Sequence, residues 1–376
     1  MVQTRNPFSF GALALDEAFT DRAREVAELR ADILNGQDVV VFAPRRYGKS
    51  SLVWRVAQRL ARDRVLVAQV DLMTTPTKEK LAEKLAKAIH DDIATPLFRA
   101  KERLRVFSGL RIAPVVTVDA EDGSLGFSFS AGHTRDDIDA TLERLFELPG
   151  RLGAERNRRV ALVIDEFQEV VEIDPHLPKL MRAVFQEQPE VAHVYLGSKR
   201  HMMRRIFNDE NEPFWRSAKP MELGVISPAD FGPYIEARFR AIDPLVLGRV
   251  LAMTHGHPYA TQELGYFLWE EAGGRKAGLP ELDRAITSLL RSEHAHFTLI
   301  WDHAAATQRV LLQALAAEPG RPYAGEYRRR HNLPAPSSVQ RAVEALAGDE
   351  LVGRDEDGNF RIVEPFLAEW INRNEQ

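Results

Sequence analysis

The chain has 376 residues, 44% of them hydrophobic and 28% charged, with a net charge of -5 and no cysteine. That length suits two or three domains of roughly 100 to 200 residues, and the composition is that of a soluble globular protein. It excludes disulfides and thiolate metal sites and argues against a protein that coats nucleic acid, leaving only a local basic patch open. No apolar run approaches the roughly 18 residues of a membrane span, and Met1-Val2-Gln3-Thr4-Arg5-Asn6-Pro7 does not read as a signal peptide, so a cytoplasmic protein is expected.

The first predicted element is the apolar run Val39-Val40-Val41-Phe42, a fully buried strand. From Ser51-Leu52-Val53 onward the apolar positions recur at helical spacing. Between them lies Ala43-Pro44-Arg45-Arg46-Tyr47-Gly48-Lys49-Ser50. Strand, loop and helix in this order make a phosphate-binding loop for a nucleoside triphosphate. The free N–H groups of the loop and helix start, with the helix dipole, favour an anion there. Gly48 allows close backbone approach, Lys49 would meet the β- and γ-phosphates, and the Ser50 hydroxyl would join a Mg2+ shell. The usual pattern opens with glycine. Here Ala43 holds that position, which is expected to cost some loop freedom. An ordinary strand-to-helix turn is the alternative, and a second motif weighs against it.

Residues 64–71 read as another buried strand and 78–93 as an amphipathic helix. Residues 114–119 and 125–130 alternate around Glu121-Asp122-Gly123-Ser124, a hairpin signal. This predicts an antiparallel insertion at about 112–131, with no function legible and plain decoration the simpler reading. Then Val160-Ala161-Leu162-Val163-Ile164 runs into Asp165-Glu166, as a central parallel strand does where its carboxyl end faces a ligand crevice. Asp165 would hold Mg2+ through its water shell. Glu166 would orient and deprotonate an attacking water.

A helix is expected over 177–188 and a strand over 191–198. Ser198 at its end stands where a γ-phosphate sensor would sit, with Lys199 and Arg200 beside it, although a serine there is also a common turn residue. Residues 227–272 are helix-rich with few strand signals, and the segment to about His303 is grouped with them. Three helices follow at 307–317, 324–330 and 337–347, the last with a serine cap, then a hairpin over 351–363 and a helix from Pro365. Three helices and a hairpin make a winged helix. Its third helix offers Ser337, Ser338, Gln340 and Arg341 to a groove. From Thr307 onward, however, nine arginines face eleven acids, and Asp355, Glu356 and Asp357 sit at the wing tip. Such a wing is ill suited to DNA phosphates.

Taken together, the chain resembles the archaeal-type ATPase family, a branch of the STAND and AAA+ P-loop ATPases related to origin-recognition ATPases. The resemblance rests on Phe19-Thr20-Asp21-Arg22 with Glu25, the loop at 43–52, Ile164-Asp165-Glu166-Phe167-Gln168 and Leu196-Gly197-Ser198. It extends through Pro213-Phe214-Trp215-Arg216-Ser217-Ala218, Met221-Glu222-Leu223 and Gly256-His257-Pro258-Tyr259. It implies an α/β fold: a three-layer P-loop ATPase core with an inserted strand over 1–225, a helical lid over 226–303 and a winged helix over 304–376. ATP and Mg2+ are the implied ligands, bound by 43–51.

By the same resemblance Arg22 lies near the adenine and Pro258 packs on it. Arg216 is the leading arginine finger, with Arg200 the runner-up; a surface arginine stacked on Trp215 is the alternative. The expected activity is ATP hydrolysis driving a conformational switch. The alternative is an ATP-dependent DNA-binding or DNA-loading protein. A homo-oligomer and a protein partner at the winged helix stay open, as does DNA, which the charge disfavours.

Overall fold

The computed structural model describes residues 5–11, 19, 22–98, 100–119, 123–130, 132–273, 275–355 and 357–375. Thr20, Asp21, Glu121, Asp122 and Glu356, which enter the expectations above, lie outside them. The chain divides into two compact units. One comprises residues 22–45 and 49–224, the other residues 1–21, 46–48 and 225–376.

The first unit opens with α1 (Ala23–Leu34), β1 (Val39–Phe42), α2 (Lys49–Arg62), β2 (Leu66–Asp71) and α3 (Lys78–Ala88). After β3 (Val115–Val118) and β4 (Leu125–Ser128) come the long helix Arg135–Glu155, β5 (Val160–Asp165), the helix Leu177–Phe185, β6 (Val191–Gly197) and β7 (Lys219–Glu222). The main sheet has the order β2-β5-β6-β1-β7, and every pairing in it is parallel. Thus β6 lies between the loop strand β1 and the acidic strand β5, the inserted strand that the sequence led one to expect. All residues of β1, β5 and β6 are buried, which is why these strands read as continuous apolar runs rather than alternating ones.

Three local features depart from expectation. The predicted helix at 78–93 is α-helical only to Ala88 and continues as a π-helix over Ile89–Ala94. There Asp92 Oδ2 accepts from the Gln69 N–H of β2 at 3.3 Å, so the wider turn serves the free edge of the sheet. The strand β7 carried no alternating or apolar signal, because it is a short edge strand, Lys-Pro-Met-Glu, and edges tolerate proline. The hairpin β3–β4 forms where expected, with Val116 opposite Phe127, but its packing into the core carried no signal in the sequence. Phe127 and Phe129 are buried in the core, and Phe127 packs 5.3 Å from Phe107 and 5.5 Å from His90, centroid to centroid.

In the second unit, helices Pro228–Glu236, Pro244–Thr254, Pro258–Ala272 and Leu279–His303 are followed by Ala306–Ala317, Gly325–Arg330 and Pro336–Gly348. The strands Val352–Arg354 and Phe360–Ile362 pair antiparallel, and helix Pro365–Asn374 closes the unit. One apolar cluster runs through it, from Phe231 and Leu264 to Val339 and Phe366, and includes Phe8 from the start of the chain. The expected serine cap on the third helix is replaced by Ala335, with Pro336 in the first turn and no side-chain cap bond. Proline's fixed φ suits that position and it needs no cap of its own. Among the described residues no helix is long and apolar enough to cross a membrane.

Candidate active site

The parallel register brings three strand ends level. Phe42 pairs with Gly197 and Ile164 with Tyr195, so Ala43, Asp165, Glu166 and Ser198 all emerge at the carboxyl edge of the central strands, where α/β sheets bind ligands. Ala43 and Pro44 are buried, whereas Arg45 is exposed. The strained turns of the loop fall on Arg46, with φ 65°, and Gly48, with φ 84°. Ala43 is not among the positive-φ residues, so the expected cost of alanine there does not arise. Arg46, Tyr47 and Gly48 group with the second unit, where the Arg46 guanidinium lies 4.2 Å from the Tyr259 ring centroid and the Tyr47 ring 4.7 Å from that of His257.

Lys49 begins α2 and is buried, its Nζ donating to Ala43 O at 3.0 Å and Pro44 O at 3.3 Å. Ser51, next but one, is buried as well. The Ser50 hydroxyl donates to Asp165 Oδ2 at 3.2 Å. The other oxygen of Asp165 accepts from the Glu166 N–H at 2.9 Å. Burial raises the Asp165 carboxyl above its ordinary range, with the Glu166 N–H and the Lys49 ammonium acting against the rise.

Glu166 sits in the left-handed region at φ 52°, a conformation that costs a non-glycine residue roughly 1 kcal/mol and recurs at functional sites. Its Oε2 accepts from Ser198 Oγ at 2.6 Å and from Gln168 Nε2 at 2.5 Å. Burial by itself would lift this carboxyl. The two donors and the Lys49 charge outweigh that and hold it below its usual value. Ser198 is completely buried, so it is a partner of Glu166 rather than a plain turn residue.

Arg22 is buried and committed, Nη1 to Glu25 at 2.9 Å and Nη2 to Gly224 O at 2.6 Å. Arg216 is exposed, with its guanidinium 5.3 Å from the Trp215 ring centroid, the stacked alternative named above. Arg200 pairs with Glu222 at 3.3 Å. Pro258 opens its helix behind His257, whose Nδ1 caps the Ala260 N–H at 3.3 Å.

A family profile described as an ATPase domain predominantly from Archaea matches residues 19–219, more than half of the chain. The chain belongs to that family. It is therefore an archaeal-type P-loop ATPase, followed by a winged-helix domain matched over residues 295–373. Among solved structures, the archaeal-type ATPase is similar to a Walker-type ATPase of Pyrococcus abyssi at 15% identity and a TM-score of 0.66, over 99% of this chain and 100% of that one. The ORC2 protein of Aeropyrum pernix in its ADP form aligns at 15% identity and a TM-score of 0.52, over 95% and 96%. The ORC1 protein of the same organism, in complex with DNA, aligns at 14% and 0.50, over 96% and 94%. Identities this low speak for a shared fold alone. No curated protein matches the chain.

One member of the cluster escaped the sequence reading. Gln168 follows the acidic pair by two residues, and its side chain touches both Glu166 and Glu169. The sequence holds it in plain view within Asp-Glu-Phe-Gln, but a glutamine after a strand end carries no signal until its rotamer is known.

Proposed function

We propose that this ATPase hydrolyses ATP in a Mg2+-dependent reaction and uses the nucleotide state as a conformational switch, with an ATPase core reaching to residue 225, a lid over 226–303 and a winged helix over 304–376. The observation that carries the reading is the buried Glu166 carboxylate, anchored by Ser198 just past the end of the neighbouring strand, at the same sheet edge as Lys49, Ser50 and Asp165. Ser50 and Asp165 present two hard oxygens 3.2 Å apart, a donor set suited to Mg2+ completed by water and phosphate. That ion would supply charge neutralisation on the phosphates when bound. The loop at 43–51 would cradle the phosphates and Lys49 would meet their charge. Glu166, kept ionised by its donors, would take the proton of the attacking water.

Arg216 extends from the surface and is the residue proposed to complete the site of a second copy, which makes hydrolysis by an isolated protomer slow. Arg22 and Pro258 are the proposed adenine-side residues. The DNA-loading alternative draws less support. In the winged helix Arg330 is paired with Glu318 at 2.6 Å and Glu326 at 3.0 Å, and Arg328 donates to Pro334 O, so the basic run at 328–331 is largely spent within the domain.

The test is steady-state ATP hydrolysis over a protein concentration series, for the wild type and Glu166→Gln, each with and without duplex DNA. The reading expects turnover per protomer to rise with concentration and Glu166→Gln to bind ATP without hydrolysing it. Negligible hydrolysis throughout, together with ATP-dependent DNA binding, replaces it with the DNA-loading alternative.

A further inference from the structure

We propose that Gln168 is a positioning residue for hydrolysis, holding the Glu166 carboxylate in the orientation it needs; the inference rests on the ATPase reading above and deepens it. Gln168 is 1% exposed. Both atoms near its terminal amide are carboxylate oxygens, Glu166 Oε2 at 2.5 Å and Glu169 Oε1 at 3.2 Å. An ionised carboxylate accepts and never donates, so the amide is fixed with its nitrogen toward the two acids. Glu169 is in turn tied to Lys199 Nζ at 3.0 Å. The amide is thus braced against a residue that is itself anchored to the segment following β6.

Two further facts separate this from ordinary core satisfaction. Gln168 Oε1 is buried and finds no hydrogen-bond partner among the described residues. Burying an amide with its carbonyl unsatisfied costs stability, so a residue placed only to fill this space would be better apolar. Second, the amide and the Ser198 hydroxyl load the same oxygen, Oε2, one from the segment after β5 and the other from the segment after β6. Two donors on one oxygen remove the carboxylate's rotational freedom and leave its other oxygen directed by them. Ser198 holds the carboxylate from the segment after β6, through its hydroxyl and its backbone N–H. Gln168 adds the donor from the segment after β5.

The test replaces Gln168 with methionine, which keeps the length and approximate volume but has no donor, and in parallel with asparagine, which keeps the amide but withdraws it by one methylene. Three quantities are measured on each full-length variant: kcat and KM for ATP, affinity for a fluorescent ATP analogue, and the crystal structure around Glu166. Misplacing a reacting group by about 1 Å can cost two orders of magnitude. The expected result is therefore kcat lower by roughly ten- to a hundredfold, KM and analogue affinity within about threefold, and the Glu166 carboxylate displaced from Ser198 or split between two positions. Wild-type kcat in either folded variant, or an unmoved Glu166, overturns the proposal. Loss of affinity and kcat in equal measure assigns Gln168 a merely structural role and overturns it too. If the wild type itself fails to hydrolyse ATP, the ATPase reading falls separately, and the position of Glu166 in the variants still decides the case of Gln168.

Discussion

Lys49 shows how far a single residue of this loop is committed within the loop itself. Its buried ammonium is held by the carbonyls of Ala43 and Pro44, so the charge stands ready inside the loop. Lys49→Ala should weaken binding of a fluorescent ATP analogue at least tenfold, because charge-assisted bonds to phosphate are the strong ones. Its stability should fall by about 2 kcal/mol, in the range for hydrogen bonds from a charged donor; an unfolded variant would show a folding defect instead. Gly256 is the opposite case, a residue whose role is wholly steric. It has φ 71°, and a Cβ there would lie 2.1 Å from the Ile226 carbonyl oxygen. Gly256→Ala should therefore destabilise the second unit by more than about 2 kcal/mol, seen by chemical denaturation. The glycine of Gly-His-Pro thus has a structural reason independent of any nucleotide. At this scale Lys49, Ser50, Asp165 and Glu166 could be named from sequence as candidates, since strand-loop-helix and strand-acid patterns are local. Gln168 stayed hidden because its partnership depends on which way a buried rotamer turns.

Among the elements, helix Pro258–Ala272 carries two buried titrating groups that pull in opposite directions. Burial brings His257, its cap, down to about 3, helped by the Arg46 and Arg361 charges. Burial lifts Glu263 to about 9, aided by the Glu293 and Glu364 carboxylates. Below its ordinary 6.5 the unfolded histidine binds a proton that the folded one refuses, so the His257 contribution is lost as pH falls from about 6.5 toward 3. Above its ordinary 4.5 the unfolded glutamate gives up a proton that the folded one keeps, so the Glu263 contribution is lost as pH rises from about 4.5 toward 9. The two slopes oppose each other between 4.5 and 6.5, where the second unit should be most stable. Denaturation at pH 5.5 and 8.5 should differ by a few kcal/mol on the order expected for such shifts, and Glu263→Gln should flatten the alkaline side. A profile that rises steadily to pH 8.5 would refute this. The hairpin makes a second prediction: Phe127→Ala should cost roughly 3–5 kcal/mol in the first unit with ATP affinity unchanged, which chemical denaturation and analogue binding would show. The hairpin's strands were readable from alternation, but its inward-facing phenylalanines were not, because alternation does not say which face meets a core. The π-helix and β7 were illegible for related reasons: one differs from an α-helix by a single backbone step, and the other has an edge strand's composition.

On the scale of the whole molecule, the units do not follow chain order. Phe8 is 2% exposed within the apolar cluster of the C-terminal unit and lies against Gly265, where a Cβ would come within 2.5 Å of its ring. Phe8 is therefore part of the core of the second unit. Phe8→Ala should cost that unit about 3–5 kcal/mol, while the ATP affinity of the archaeal-type core is retained; an unchanged denaturation midpoint would contradict the packing. The boundaries drawn from sequence placed this segment with the core, since no local pattern in Asn6-Pro7-Phe8 names a distant partner. The winged helix, by contrast, was visible in outline, its helices and hairpin spaced by turn residues. The helices between Pro228 and His303 and the winged helix share one continuous apolar cluster, which periodicity along a single chain cannot reveal.

The level ends of β5 and β6 also bear on which changes in length the family can tolerate. A residue added to a loop before either strand leaves the pairing of Ile164 with Tyr195 intact. A residue added inside β6 moves Ser198 by roughly 3.3 Å and turns it to the other face of the sheet, away from Glu166. Adding two restores the face but doubles the displacement. Natural variation in chain length should thus collect in the hairpin and the helix connections, and the interval from Val191 to Ser198 should hold its count like the teeth between two gears.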